Sequence, residues 1–325
     1  MFSSPEPALY MAIAILLGSM VLGSIVRFIA LRNAEQEKRR KRLLSLRSWW
    51  LLAILVSGAL LAGRTGVCLL LTVASCIGWY ELTRMAGLRP QDRFAIHAGY
   101  LLIAINYVLI LVGAISLHAV FLPLVAPIVF AILLLMQDKP QGYIRSTGTL
   151  LWGMMFVGYG LSHAALLMSL PMTAVGPMGA AGWFLFIVIL TECDDIFQAI
   201  TGRAFGAHKK HPIAPVISPN KTWEGFMGGL LVILLLSLVL APLLIQLEGN
   251  SAGTSTDSLL APLLIALLIS AAGFFGDINM SGIKRDAGVK DSSNLLPGIG
   301  GVIDRIDSLT MTAPVYVCFL RWWLA

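Results

Sequence analysis

The chain has 325 residues, 58% of them hydrophobic and only 12% charged, with a mean hydropathy of +0.84. A soluble domain carries about 25% charged residues, so this composition excludes a soluble globular enzyme and points to an integral membrane protein. The net charge of +6 and pI near 9.3 come without an aromatic-interleaved basic stripe, so no nucleic-acid partner is expected; they read as cytoplasmic loops obeying the positive-inside rule.

Apolar runs of about 20 residues imply helices rather than a barrel. The fold expected is all-α, a polytopic membrane bundle of about ten transmembrane helices with both termini outside. The first span covers Ala8 to Leu31, with Arg27 near its end, and MFSSPEPALY ahead of it lacks a basic n-region, so an uncleaved anchor is expected. Arg32 to Arg47 holds seven basic residues and is assigned to the cytoplasm, where it sets the topology or contacts anionic membrane lipid. Trp49 to Tyr80 is too long for one span and is interrupted at Gly63-Arg64-Thr65, so it reads as a hairpin of two short spans. Further spans follow at Ala95–Leu117, Ala119–Met136, Thr147–Leu170, Gly179–Ile200, Trp223–Leu247, Leu259–Phe275 and Leu309–Trp323. With this alternation only Arg64 and Arg321 of the 23 Lys and Arg residues lie outside. Glu248, Asp257 and the uncharged residues Pro171 to Pro177 mark outer loops. Cys68, Cys76, Cys193 and Cys318 have no CxxC spacing and read as buried small apolar residues. The chain divides into an N-terminal region, 1–180, with a basic loop at 32–48, and a C-terminal region, 181–325, with cytoplasmic loops 202–222 and 276–308; the two form one continuous bundle.

Those two loops carry the chemistry. The first follows a span ending in Glu192, Asp194 and Asp195, and intramembrane carboxylates usually line a cavity. It then reads GRAFGAHKKHPIAPVISPNKTWEGF, where Ser218-Pro219-Asn220 is a turn signal and Asn220 or Thr222 can cap the next helix, with Glu224 in its first turn. A helix start beside Lys221 is also an anion site. His208 and His211 are flanked by Lys209 and Lys210, which repel a metal cation. The second loop, Gly276 to Asp307, packs nine charges and the glycines Gly298, Gly300 and Gly301 between apolar segments. Magnesium is commonly held by one or two carboxylates plus substrate phosphates, and Asp277 and Asp304 are its expected ligands. Lys284, Arg285, Lys290 and Arg305 would neutralise phosphate oxygens, and the glycines would let backbone N–H groups approach them. A cytoplasm-facing, metal-assisted phosphate site follows from these residues alone, against the plainer reading of a salt-bridged loop.

Ser281, Lys284, Arg285, Lys290 and Asp291, then Pro297-Gly298-Ile299-Gly300-Gly301, then Asp304-Arg305 and Asp307 resemble the signature of the phosphatidate cytidylyltransferase (CDP-diglyceride synthase) family. Gly276-Asp277 precedes it as in the family; Asp195, Gly202, Phe205-Gly206 and Ser218 to Gly225 echo its upstream segments, so the likeness covers Glu192 to Asp307. In two places the chain departs from the pattern: Ile299 stands where the family has histidine, and the upstream Ala-Tyr becomes Ala199-Ile200. The pattern is nearest that of the family's uncharacterised bacterial paralogues.

The resemblance implies a multi-pass protein of the bacterial inner membrane, with CTP and phosphatidate as substrates and CDP-diacylglycerol and pyrophosphate as products. It implies Mg2+ on Asp277 and Asp304, a second and monovalent cation such as K+, and a homodimer. Catalysis falls to Asp277, Lys284, Arg285, Lys290, Asp291, Asp304 and Arg305, and substrate binding to Asp195, Ser218, Lys221, Ser281, Gly298, Gly300 and Gly301. Asp194 would join Asp195 at the polar end of the cavity. Two other readings stand beside this one: a paralogue weakened by Ile299 that binds CTP or CDP-lipid, and an ion-coupled transporter.

Overall fold

The computed structural model describes residues 7–32, 35–169, 178–205, 211–245 and 257–323. Almost all of them are helical: α1 (Pro7–Ala30), α2 (Gln36–Leu61), α3 (Gly63–Met85), α4 (Arg93–Leu111), α5 (Ile115–Leu135), α6 (Tyr143–Gly153), α7 (Leu161–Leu166), α8 (Gly179–Phe205), α9 (Trp223–Leu244), α10 (Asp257–Asp286) and α11 (Ile303–Trp323). A short 3-10 turn (Pro90–Asp92) leads into α4, and a π-helical segment (Met154–Gly160) joins α6 to α7. The all-α membrane bundle is therefore the architecture found. Among the described residues, seven helices are long and apolar enough to cross a membrane. The other helical runs are less apolar or broken: α8 carries Glu192, Asp194 and Asp195, α11 carries Asp304, Asp307 and Arg321, and residues 143–166 divide into three segments.

Several elements differ from the sequence reading. The basic stretch expected as a loop is the first three turns of α2, because Gln, Glu, Lys, Arg and Leu are good helix formers and continue into the apolar run without a breaker. The expected hairpin breaks at Ala62, with Gly63 at φ 66°, so its arms run 26 and 23 residues, longer than the two short spans expected. α10 continues eleven residues past Phe275, placing Asp277, Ser281 and Lys284 on one helix face rather than in a loop. SPNKT forms strand β2 (Ser218–Thr222), paired antiparallel with β1 (Pro212–Ala214), and Thr222 caps α9 by accepting from the Gly225 N–H at 3.1 Å. Cys68 is buried as expected, whereas Cys318 is exposed on α11. His208 and the expected outer loops around Pro171–Pro177 and Glu248 lie outside the described residues, while Asp257 opens α10.

Trp79, Tyr107, Phe130, Trp183, Phe186 and Tyr316 lie fully buried at the centre, and large apolar side chains such as Ile15, Leu22, Ile29, Leu124 and Leu231 point outward, as lipid-facing surfaces require. The chemistry gathers where α8, α10 and α11 meet. Gly276 makes that meeting close: a Cβ there would stand 2.7 Å from the Asp307 carbonyl oxygen. With glycine present, α10 and α11 approach backbone to backbone, as small residues allow between membrane helices, and Asp277 comes beside Asp307.

Candidate active site

A cavity of about 480 Å³ opens between the middle of α2, the C-terminal parts of α8 and α10, the start of α11 and strand β2, within the ~300–1,000 Å³ of ligand pockets. Its lining holds six carboxylates (Glu192, Asp195, Asp277, Asp291, Asp304, Asp307) and four cationic side chains (Arg203, Lys221, Lys284, Arg305).

Two ion-pair centres organise it. Lys221, carried in by β2, places Nζ 2.7 Å from Asp277 Oδ2 and 3.5 Å from Asp195 Oδ1, and donates to Gln198 Oε1 at 3.1 Å. Ser308 Oγ donates to Asp195 Oδ2 at 2.8 Å, and Ser281 makes a long 3.4 Å contact to Asp277 Oδ1. Burial works to lower the Lys221 ammonium, but Asp277, Asp195 and Asp307 outweigh it and hold the group above the ordinary lysine value of 10.5. Lys221 is thus a cation at neutral pH. Because its shift is upward, the stability it contributes is complete below 10.5 and is lost only as pH rises through the raised value.

The second centre is Asp304, in the first turn of α11. Oδ1 accepts from Lys284 Nζ at 2.8 Å; Oδ2 accepts from Ser292 N, Ser292 Oγ and Gly301 N, each at 2.9 Å. Asp304 and Lys284 are both buried. One carboxylate thereby ties α10 to the loop between α10 and α11, and its reach back to Gly301 N satisfies an otherwise orphaned donor at a helix start. Gly298 and Gly300 take positive φ of 81° and 93°, which admits the tight turn closed by the Leu296–Gly300 bridge. At Gly301 a Cβ would meet Ser292 Oγ and the Glu81 carboxylate. Here the Gly301 N–H is directed at Asp304 rather than into the cavity.

Glu81, in the last turns of the apolar helix α3, was missed by the sequence reading. It is 2% exposed, and its carboxylate accepts from Val302 N at 3.1 Å, Ile303 N at 2.9 Å, Ser292 Oγ at 3.1 Å and Ser293 Oγ at 2.5 Å. It caps α11 from another helix, and a negative charge is favoured at that end. The available signal was a lone carboxylate in the apolar helix α3, an arrangement that is costly unless the group is fully hydrogen-bonded.

Of the remaining expected residues, Arg305 and Asp291 line the cavity, and Arg305 Nε is buried without a hydrogen-bond partner, an open donor beside the space a ligand would fill. Lys290 is exposed and lines a neighbouring cavity with Asp291, Gly298 and Gly300. Arg285 points elsewhere, donating to the Val289 carbonyl at 3.1 Å and reaching Ile217 O at 3.4 Å. Ser218 pairs with Ala214 in the hairpin, outside the cavity lining. Asp194 also departs from expectation: it is buried behind the cavity, accepting from Gln198 Nε2 at 2.8 Å and Ser270 Oγ at 3.2 Å. Through Gln198 it orients Lys221. His211 pairs with Glu224 at 2.6 Å, pinning the hairpin to α9.

Carboxylates and ammonium groups, with many of the signature residues, thus line one cavity. The sequence profile of the cytidylyltransferase family covers residues 43–323. The chain belongs to the cytidylyltransferase family. It is 35% identical over 314 residues to the uncharacterised protein YnbB of Escherichia coli, covering 96% of this chain and 98% of that one. It is 34% identical over 276 residues to the phosphatidate cytidylyltransferase of Pseudomonas aeruginosa, covering 83% and 93%. A phosphatidate cytidylyltransferase of Chlamydia pneumoniae is 33% identical over 257 residues, covering 76% and 80%. The protein is thus a multi-pass membrane nucleotidyltransferase, and the transporter reading has no relative among these.

Lys221→Gln should leave Asp195, Asp277 and Asp307 facing one another. A loss of about 2 kcal/mol is expected, less than the ~3–5 of a fully buried pair because the partners keep partial exposure. Thermal melting of the detergent-solubilised protein would register it as a lower midpoint, and added Mg2+ should return part of the loss in the variant but not in a Lys221→Gln/Asp277→Asn double variant.

Proposed function

We propose that the protein is a phosphatidate cytidylyltransferase of the bacterial inner membrane, with its cavity open to the cytoplasm. One observation carries this reading: the signature residues Asp277, Lys284, Asp291, Asp304, Arg305 and Asp307 gather with Asp195 and Lys221 around a single cavity. A phosphate oxygen of phosphatidate attacks the α-phosphorus of CTP; the bond between the α- and β-phosphates breaks, giving CDP-diacylglycerol and releasing pyrophosphate. The attacking phosphate is already anionic, so the protein need not supply a strong base. It must bring two polyanions together and neutralise them. Arg305, with its open Nε donor, and Arg203 are placed to bind phosphate oxygens, and Lys221 and Lys284 hold positive charge on either side.

A divalent cation fits the donor set. The lining carries an excess of carboxylates over cations, all oxygen donors, yet among the described residues no group of three or more His, Cys, Asp or Glu forms a metal cage. Magnesium characteristically takes one or two carboxylates and completes its shell with water and substrate phosphate. Asp277 retains Oδ1 for it beyond the long Ser281 contact, whereas Asp304 would join only by giving up Lys284 or a loop donor. When bound, the ion would supply charge neutralisation to the triphosphate. A K+ site and a homodimer stay part of the proposal by family likeness.

The test is to supply membranes holding the protein with labelled CTP, phosphatidate and Mg2+. Label should enter lipid, and should fail to do so with Asp304→Ala; no label above that control, with folded protein present, overturns the reading. Ile299 bears on the alternative of a weakened enzyme. Its side chain lines the neighbouring cavity with Leu44 and is not part of the catalytic lining. Ile299→His is therefore expected to change the transfer rate by less than about threefold, under ~0.7 kcal/mol of barrier. A gain of a hundredfold would mean the natural chain is the weakened form.

A further inference from the structure

α2 has two working sides. Toward the signature loop it presents Ser48, 3% exposed, whose Oγ donates to the Pro297 carbonyl at 2.9 Å. One turn earlier Leu44 lines a cavity of about 650 Å³ with Ile299, Gly298 and Gly300, and one residue later Trp49 lines the catalytic cavity. Around the rest of the same helical turns Arg39, Arg40, Arg42 and Arg47 are exposed. At 100° per residue they fall on the flanks and back of the helix relative to Ser48. The stretch long and apolar enough to cross a membrane begins at Arg42, which puts Arg39, Arg40 and Arg42 at its start, and the Arg47 side chain is long enough to snorkel back to the surface. Arginine forks there meet lipid phosphates bidentately, and juxtamembrane basic clusters attract anionic leaflets.

We propose that the basic first turns of α2 dock anionic phospholipid headgroups of the surrounding leaflet, and that this docking sets the position of the Pro297–Gly301 loop. The contact is rigid: Arg47 and Ser48 are adjacent on one continuous helix, so a headgroup that fixes the orientation of α2 also fixes the donor to Pro297 and the wall beside Ile299. A leaflet poor in anionic lipid holds the first turns of α2 less firmly and loosens the loop that Asp304 and Glu81 hold from its other side. The docking itself is independent of the proposed activity; its effect on catalytic rate rests on that activity.

The protein would be placed in nanodiscs of phosphatidylcholine alone or with about 30% phosphatidylglycerol, which is anionic but is not the lipid substrate. Hydrogen exchange of residues 292–302 should be roughly fivefold slower in the phosphatidylglycerol discs. Arg39→Gln/Arg40→Gln/Arg42→Gln should exchange like wild type in phosphatidylcholine, showing an intact fold, and lose the difference between discs. Ser48→Ala should keep phosphatidylglycerol bound, as read by native mass spectrometry, yet lose the loop response. Equal exchange of the wild-type loop in both discs, or an undiminished response in the triple arginine variant, overturns the proposal. Cytidylyl transfer, where present, should rise in parallel with protection. Loop protection without any transfer would leave the docking standing and overturn only the proposed reaction.

Discussion

Asp304→Asn is expected to lower CTP-dependent labelling of lipid by about a thousandfold. The substitution keeps the size of the side chain, but not its role. The wild-type carboxylate receives four hydrogen bonds, one from Lys284 and three from Ser292 and Gly301, and makes none as a donor. An amide offers only one accepting oxygen, so its NH2 group must face donors. Lys284 also loses its counter-charge while remaining buried. Breaking a buried pair costs ~3–5 kcal/mol, and each 1.36 kcal/mol is a factor of ten in rate. Steady-state transfer in membranes measures the loss, and exchange of residues 290–303 should rise with it. Activity within tenfold of wild type would remove Asp304 from the centre of the site. Asp304→Glu keeps the charge but adds a methylene that displaces the loop, so only a small fraction of activity should return.

Glu81→Gln is the second large effect, and it arises far from the signature. The four donors that meet Glu81 come from both ends of the loop, Ser292 and Ser293 at one and Val302 and Ile303 at the other. With glutamine, at least one of them faces an NH2 group in a buried setting, at a cost of ~1–3 kcal/mol for the stranded donor. Transfer should fall about thirtyfold, with the loop opening more often. Lys290 is exposed beside this segment, so limited trypsin digestion gives a second readout: cleavage after Lys290 should be faster in Glu81→Gln than in wild type. Unchanged digestion together with unchanged transfer would show that α3 does not hold the loop. Glu81 does not itself line the cavity; it is a positioning residue, and a change in loop protection distinguishes that role from direct contact with substrate.

Much of this was legible in the chain. Low charge content and apolar runs specify helices in a membrane because lipid leaves no other partner for the backbone. Asp277 and Asp304 stand out as the two boundaries of a polar stretch between apolar segments, although that stretch reads as a loop where α10 in fact continues to Asp286 and α11 begins at Ile303. Lys221 and Asp195 were recognisable as members of the same site because both stand at the polar ends of apolar segments on one side. What the chain order concealed was which charge meets which. Lys221 lies between Asp277 and Asp195, Lys284 is bound to Asp304, and Asp194 turns away to Gln198 and Ser270. Arg285 and Ser218, equal to the others as letters in a motif, point out of the cavity because the helix and hairpin carrying them are rotated that way. Glu81 shows in the sequence only as a lone carboxylate in an apolar helix; its partners are more than two hundred residues distant, and no local pattern marks them. Composition and periodicity decide which segments enter the membrane, since those depend on transfer free energies summed along the chain. The pairing of buried charges depends on distances of a few ångströms across helices, and only the packing of α3, α8, α10 and α11 sets those.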